Sequence, residues 1–76
     1  MSYTVTIVIT NYGADESKCT REVLGVLDNL KYVQDREIVM EDVPYVRLNV
    51  TLSDSDDYPL LEEVIDSSGM ICEFIQ

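Results

Sequence analysis

The stretch "YTVTIVIT" (3–10) alternates along its length and is rich in β-branched residues. Period-2 patterning of that kind predicts a strand with Tyr3, Val5, Ile7 and Ile9 on one face and Thr4, Thr6, Val8 and Thr10 on the other. The loop "NYGADES" follows, with Ser17 or Asp15 placed to cap a helix. Cys19, Val23, Val26, Leu27 and Leu30 then recur at helical spacing, which predicts an amphipathic helix over about 17–31. Arg21, Glu22, Gly25 and Asp28 fall off that stripe. "REIVM" (36–40) reads as a short strand, Ile38 and Met40 inward and Glu37, Val39 and Glu41 outward. Pro44 keeps the next strand from starting earlier. "YVRLNVTL" (45–52) alternates most clearly, with Val46, Leu48, Val50 and Leu52 on one face and Tyr45, Arg47, Asn49 and Thr51 on the other. Leu60, Leu61, Val64 and Ile65 give a second helical stripe. Gly69 stands where a left-handed helix terminator belongs, and "MICEFIQ" closes as a strand with Met70, Cys72 and Phe74 inward.

The order β-α-β-β-α-β predicts an α+β two-layer sandwich of ferredoxin-like type: a four-stranded antiparallel sheet with two helices on one face. The other face is left open, carrying Thr4, Thr6, Val8 and Thr10 with Glu37, Val39, Glu41, Arg47, Asn49, Thr51, Ile71, Glu73 and Ile75. If 33–42 were helical instead, the order would be β-α-α-β-α-β, similar to the ribosomal stalk-protein C-terminal domain and the related protease adaptor fold. Arg36 argues against that order, because it would occupy a position where the second helix of that fold buries a small residue.

"LEEVIDSSGMICEFI" resembles the last helix and strand of heavy-metal-associated domains, in which an acidic helix ends in Gly before a strand. The spacing of all six elements also resembles ACT regulatory domains. These resemblances imply the fold and carry little functional weight. The metal-binding family uses a Cys-x-x-Cys pair in the first loop, whereas "NYGADESKCT" holds one cysteine. The likeness therefore does not extend to soft-metal transport. Gly13 is the lone counterpart of the Gly-rich turn by which ACT domains bind amino acids.

At 76 residues the chain makes a single domain, 1–76, with a modest core. It is 46% hydrophobic, enough apolar surface to fold despite a net charge of −10, from fifteen acids against five bases. That charge repels nucleic acid and anionic membranes and attracts basic partners. No basic-then-apolar leader opens the chain and no run approaches a membrane span, so the expected address is the cytoplasm, a host's cytoplasm included. Cys19 and Cys72 read as core thiols.

"SDSDDYP" (53–59) concentrates three carboxylates. As a calcium loop it fails: counted from Asp54, the fifth, sixth and twelfth positions are Tyr58, Pro59 and Ile65. Asp57 is placed to cap the second helix, with Pro59 in its first turn. Capping needs one acid, however, and three are present. Asp54, Asp56, Asp57, Glu62, Glu63 and Asp66 make a local acidic cluster, with Glu62 and Asp66 four apart on one helix face. Glu37, Glu41 and Asp42 extend the field, and Tyr58 adds an aromatic contact. The expected partner is a basic protein surface. The sharpest form is an inhibitor that mimics nucleic-acid charge, as small acidic viral or mobile-element proteins do, and blocks a nucleic-acid-binding partner. The competing expectations are a solvated acidic face and an ACT-like regulatory or adaptor domain that dimerises through its open face or an edge strand. No catalytic residue, metal ligand or cofactor is expected. The chain has no His to act as base near neutral pH, and Cys19, although beside Lys18 and Arg21, has no evident base to activate it.

Overall fold

The computed structural model describes residues 2–11, 18–42, 44–69 and 72–75. The elements run β1 (Tyr3–Thr10), α1 (Lys18–Asp28), β2 (Val33–Asp42), β3 (Tyr45–Leu52), α2 (Tyr58–Ser67) and β4 (Cys72–Ile75). A short 3-10 turn, Ser55–Asp57, leads into α2. The four strands form one antiparallel sheet in the order β2-β3-β1-β4. Val5, Ile7 and Ile9 of β1 and Val46, Leu48, Val50 and Leu52 of β3 bury one sheet face against Val23 and Leu27 of α1 and Leu61 and Ile65 of α2. This is the ferredoxin-like two-layer arrangement, helices on one side and an open sheet on the other. The alternation in 3–10 and 45–52 places both central strands as expected, because a strand with one buried face has its register fixed by that face.

The β-α-α-β-α-β alternative is excluded, since 33–42 is a strand. That strand is longer than the expected 36–40, and it corrects the expected facing of its side chains. Its register against β3 shifts between Val33 and Asp35 and again between Ile38 and Met40. Each shift adds a residue that the partner strand does not match, and each such bulge turns the following side chains to the opposite face. Ile38 therefore pairs with Leu48 on the helix side, as expected, but Met40 pairs with Arg47 on the open face. Glu41 pairs with Val46 on the helix side, the reverse of the expectation for both. Val39 falls in the second shift rather than in an open-face row. As an edge strand β2 is poorly covered on either side, and Ile38 stays 38% exposed even on the helix side.

Helix α1 ends at Asp28, three residues short of the expected 31. Its stripe is confirmed in Val23 and Leu27, with Cys19, Val26 and Leu30 half-buried against the core. The expected caps Ser17 and Asp15 lie outside the described residues, as do Gly13 and the predicted inward Met70. Within the described residues the first turn is held from the sheet. Asn11, just past β1 and buried, accepts from the Thr20 amide at 3.1 Å through Oδ1 and donates to the Thr20 hydroxyl at 2.9 Å through Nδ2. Its own backbone amide donates to the Pro44 carbonyl at 2.7 Å. One buried side chain thus joins β1 to α1 while its backbone reaches the turn before β3. Asn11→Ala leaves the buried Thr20 groups unsatisfied and is expected to cost about 1–3 kcal/mol, read as a lower denaturation midpoint with an unchanged slope.

Helix α2 carries Pro59 in its first turn, and Gly69 follows it with φ +72°, the left-handed terminator anticipated. The capping assignment is corrected. Asp57 precedes α2 with helical backbone angles and makes no side-chain cap bond. Asp54 does the capping, one turn earlier: its extended backbone opens the 3-10 turn and its carboxylate accepts from the Asp56 amide at 3.0 Å. The intervening turn displaces the cap by three residues. Of the predicted α2 stripe, Leu61 and Ile65 are buried and Val64 is half-buried, while Leu60 is 49% exposed. Among the described residues no helix is long and apolar enough to cross a membrane.

Candidate functional site

The acidic residues singled out above separate into two fields. The first lies on the helix layer. Asp54 and Asp56 are exposed on the turn, and Asp57 is half-buried beside them. Glu63 and Asp66 are exposed on α2, with Glu62 partly covered. Among the described residues none of these six is in an ion pair. The Asp56 amide holds the Asp54 carboxyl below the usual carboxylate range, with a smaller contribution from Ser55. Asp54 is therefore fully charged at neutral pH. Glu62 accepts from the Tyr58 hydroxyl at 3.2 Å, which draws its carboxylate toward the N-terminus of α2 and away from Asp66. Tyr58 is half-buried: its ring meets Tyr3 (6.3 Å between centroids) and Phe74 (5.7 Å) edge-to-face. That triad pins the start of α2 to β1 and β4, and it gives Tyr58 a packing role alongside its contact with Glu62.

The second field is on the open face and the β2 edge. The register places Glu37 opposite Asn49 and Asp42 opposite Tyr45, both facing away from the helices. Glu41 points to the helix side at the sheet's edge. Tyr45 to Leu52 spans seven residue steps, roughly 23 Å at strand rise. Glu41 and Asp42 therefore sit at the opposite end of the sheet from the Asp54 turn, and the sheet itself separates Glu37 from α2. The structure does not bring the expected site residues into one patch.

Two further acids join the open-face field. Asp35 pairs with Thr51 and Glu73 with Val8 on that face. Asp35 was hidden because the strand was expected to begin at Arg36; Val33, a β-branched residue just ahead, was the available signal. Arg36 is committed elsewhere. Its Nε donates to Asp28 Oδ1 at 2.8 Å and its Nη2 to Oδ2 at 3.1 Å, a two-pronged pair that lowers the Asp28 pKa and ties the end of α1 to β2. The same residues, with Leu27, Val33, Gln34 and Asp35, line an open groove of about 420 Å³.

The remaining chemistry is sparse. Cys19 and Cys72 are free and half-buried. Burial, then the nearby Cys19 and Asp66, push the Cys72 thiol up to about 11, which keeps it protonated and a weak nucleophile at neutral pH. The Tyr32 hydroxyl is buried with no hydrogen-bond partner among the described residues. Burial first, and Asp57 second, raise its pKa. Among the described residues no group of three or more His, Cys, Asp or Glu is arranged to hold a metal ion.

No protein-family model matches the chain, and no curated protein matches it. Solved structures do. The yeast copper-transporter domain Ccc2a, studied in apo and Cu(I)-loaded states, is 22% identical over 97% of both chains, with a TM-score of 0.64. SnoaB, a cofactor-independent oxygenase from Streptomyces nogalater, is 9% identical over 97% of this chain and 88% of its own, with a TM-score of 0.67. One neighbour carries a metal and the other is an enzyme, so what this chain shares with both is the ferredoxin-like fold.

Proposed function

We propose that this chain is a non-enzymatic protein-binding module that captures a basic partner through its acidic surface. In its sharpest form it occupies the groove of a nucleic-acid-binding protein and inhibits it. The observation that carries this reading is that the acids keep their charge uncompensated: among the described residues the six carboxylates of the turn and α2 form no ion pair. Like charges held close on a small domain cost stability, and a basic partner would repay that cost. The absence of His from the sequence and the protonated Cys72 thiol favour binding over catalysis.

The test is retention of partners from lysate on immobilised protein at low and at moderate salt, followed by elution with DNA or RNA. Basic nucleic-acid-binding proteins retained at low salt, and displaced by nucleic acid or by a few hundred millimolar salt, are the expected result, because screening acts at about 10 Å at 0.1 M. Retention insensitive to both treatments would overturn the reading.

A further inference from the structure

We propose that the open face of the sheet docks a basic amphipathic helix of a partner protein. The inference rests on the reading of the chain as an acidic binding module and adds the face used and the form of the partner. Acids alone steer and orient, whereas a specific interface also needs apolar anchors at its centre. On the open face the register supplies both. Ile75 pairs with Thr6, Val8 lies one row further along and one strand over, and Tyr45 one row and one strand beyond that, so the three form a diagonal. Met40 flanks it from β2, opposite Arg47. Ile75, Tyr45 and Met40 are 42%, 49% and 43% exposed, large apolar side chains that the core does not use. Glu73 on β4 and Asp42 on β2 stand beside the diagonal, and Glu37 and Asp35 lie further out along β2 beyond Arg47, so four acids surround one cation on this face.

The dimensions select the occupant. Two strand spacings across and two rows along give a diagonal of roughly 16–17 Å. Three turns of an α-helix cover about the same length, so apolar side chains at i, i+4, i+7 and i+11 match it, with Lys or Arg on their flanks reaching the acidic borders. A second copy of this chain fits poorly. It also carries −10, so two acidic open faces would repel one another. An added strand along β2 fits poorly too, since the two register shifts and the charges of Asp35, Arg36, Glu37, Glu41 and Asp42 interrupt that edge.

The experiment uses two synthetic Leu/Lys peptides of about four helical turns, one with Leu in the i, i+4, i+7, i+11 pattern and one of the same composition scrambled, titrated into 15N-labelled protein. The periodic peptide should bind at least tenfold tighter, and the amides that shift should be those of the open-face rows. Tyr45→Ser with Ile75→Thr, both at exposed positions, should weaken it at least tenfold. D54N/D56N/D57N, on the other layer, should leave the shifted set unchanged. Equal affinity for the two peptides, or shifts confined to α2 and its leading turn, would overturn the docking face while leaving the acidic-module reading intact. Concentration-dependent shifts of the open face without peptide, with dimer in sedimentation, would overturn it in favour of self-association. No binding of either peptide at low salt would overturn both.

Discussion

Leu48→Ala should remove about 2–5 kcal/mol of stability, a large share of what a domain of this size possesses. At roughly 0.05–0.15 kcal/mol per residue, a 76-residue chain has about 4–11 kcal/mol in total. Leu48 is 0% exposed at the middle of a central strand. In its row the register runs Ile38, Leu48, Ile7, Phe74, so the truncated side chain would leave a void beneath both helices with close-packed neighbours on each side. Each kcal/mol lowers the melting temperature by roughly 4–8 °C in a domain this small. Leu60→Ala is the internal control: the same chemical change at a residue 49% exposed should cost below about 0.5 kcal/mol. Urea or thermal unfolding of the two variants makes the comparison. Equal losses would mean that the helix layer is not seated over the centre of the sheet.

The contrast between Leu48 and its neighbour Ile38 also explains which parts of the fold could be read from the sequence. Central strands have one dry face, so β1 and β3 carry strict alternation and were placed to the residue. Pro59 and Gly69 mark the ends of α2 through backbone chemistry that needs no tertiary context. Strand β2 is different. At the edge neither face demands apolar residues, and "VQDREIVMED" shows no clean period. The first register shift puts Asp35 on the open face and the second reverses the facing of Met40 and Glu41, and nothing local announces either. The link from Asn11 to Thr20 spans nine positions across a loop and leaves no periodic trace. The acids were legible as composition. Glu37 and Glu73 were legible as open-face acids by alternation, whereas the helix-side facing of Glu41 and the open-face positions of Asp35 and Met40 were not, because they depend on the register shifts of β2.

Replacing Asp54, Asp56 and Asp57 with Asn should slow capture of the basic partner several-fold or more at low salt and should leave the fold in place. The structure makes this a test of charge rather than of capping. Asn caps as well as Asp, so the Asp54 contact to the Asp56 amide survives, and Asp57 makes no cap bond to lose. Relief of repulsion among three neighbouring carboxylates should, if anything, stabilise the variant slightly. The net charge falls from −10 to about −7, a loss of three solvent-exposed charges. The loss should appear mainly in the association rate, because steering by exposed charge acts before contact. The difference from wild type should shrink as salt rises, since the field of exposed acids is screened. It should also shrink as pH falls through the folded-state pKa of Asp54, which lies below the usual carboxylate value, because Asp54 is then neutral in the wild type as well. Stopped-flow association against salt and against pH reads all three behaviours. A rate that does not change at any salt would mean that the turn serves the start of α2 alone, and that capture belongs entirely to the open face.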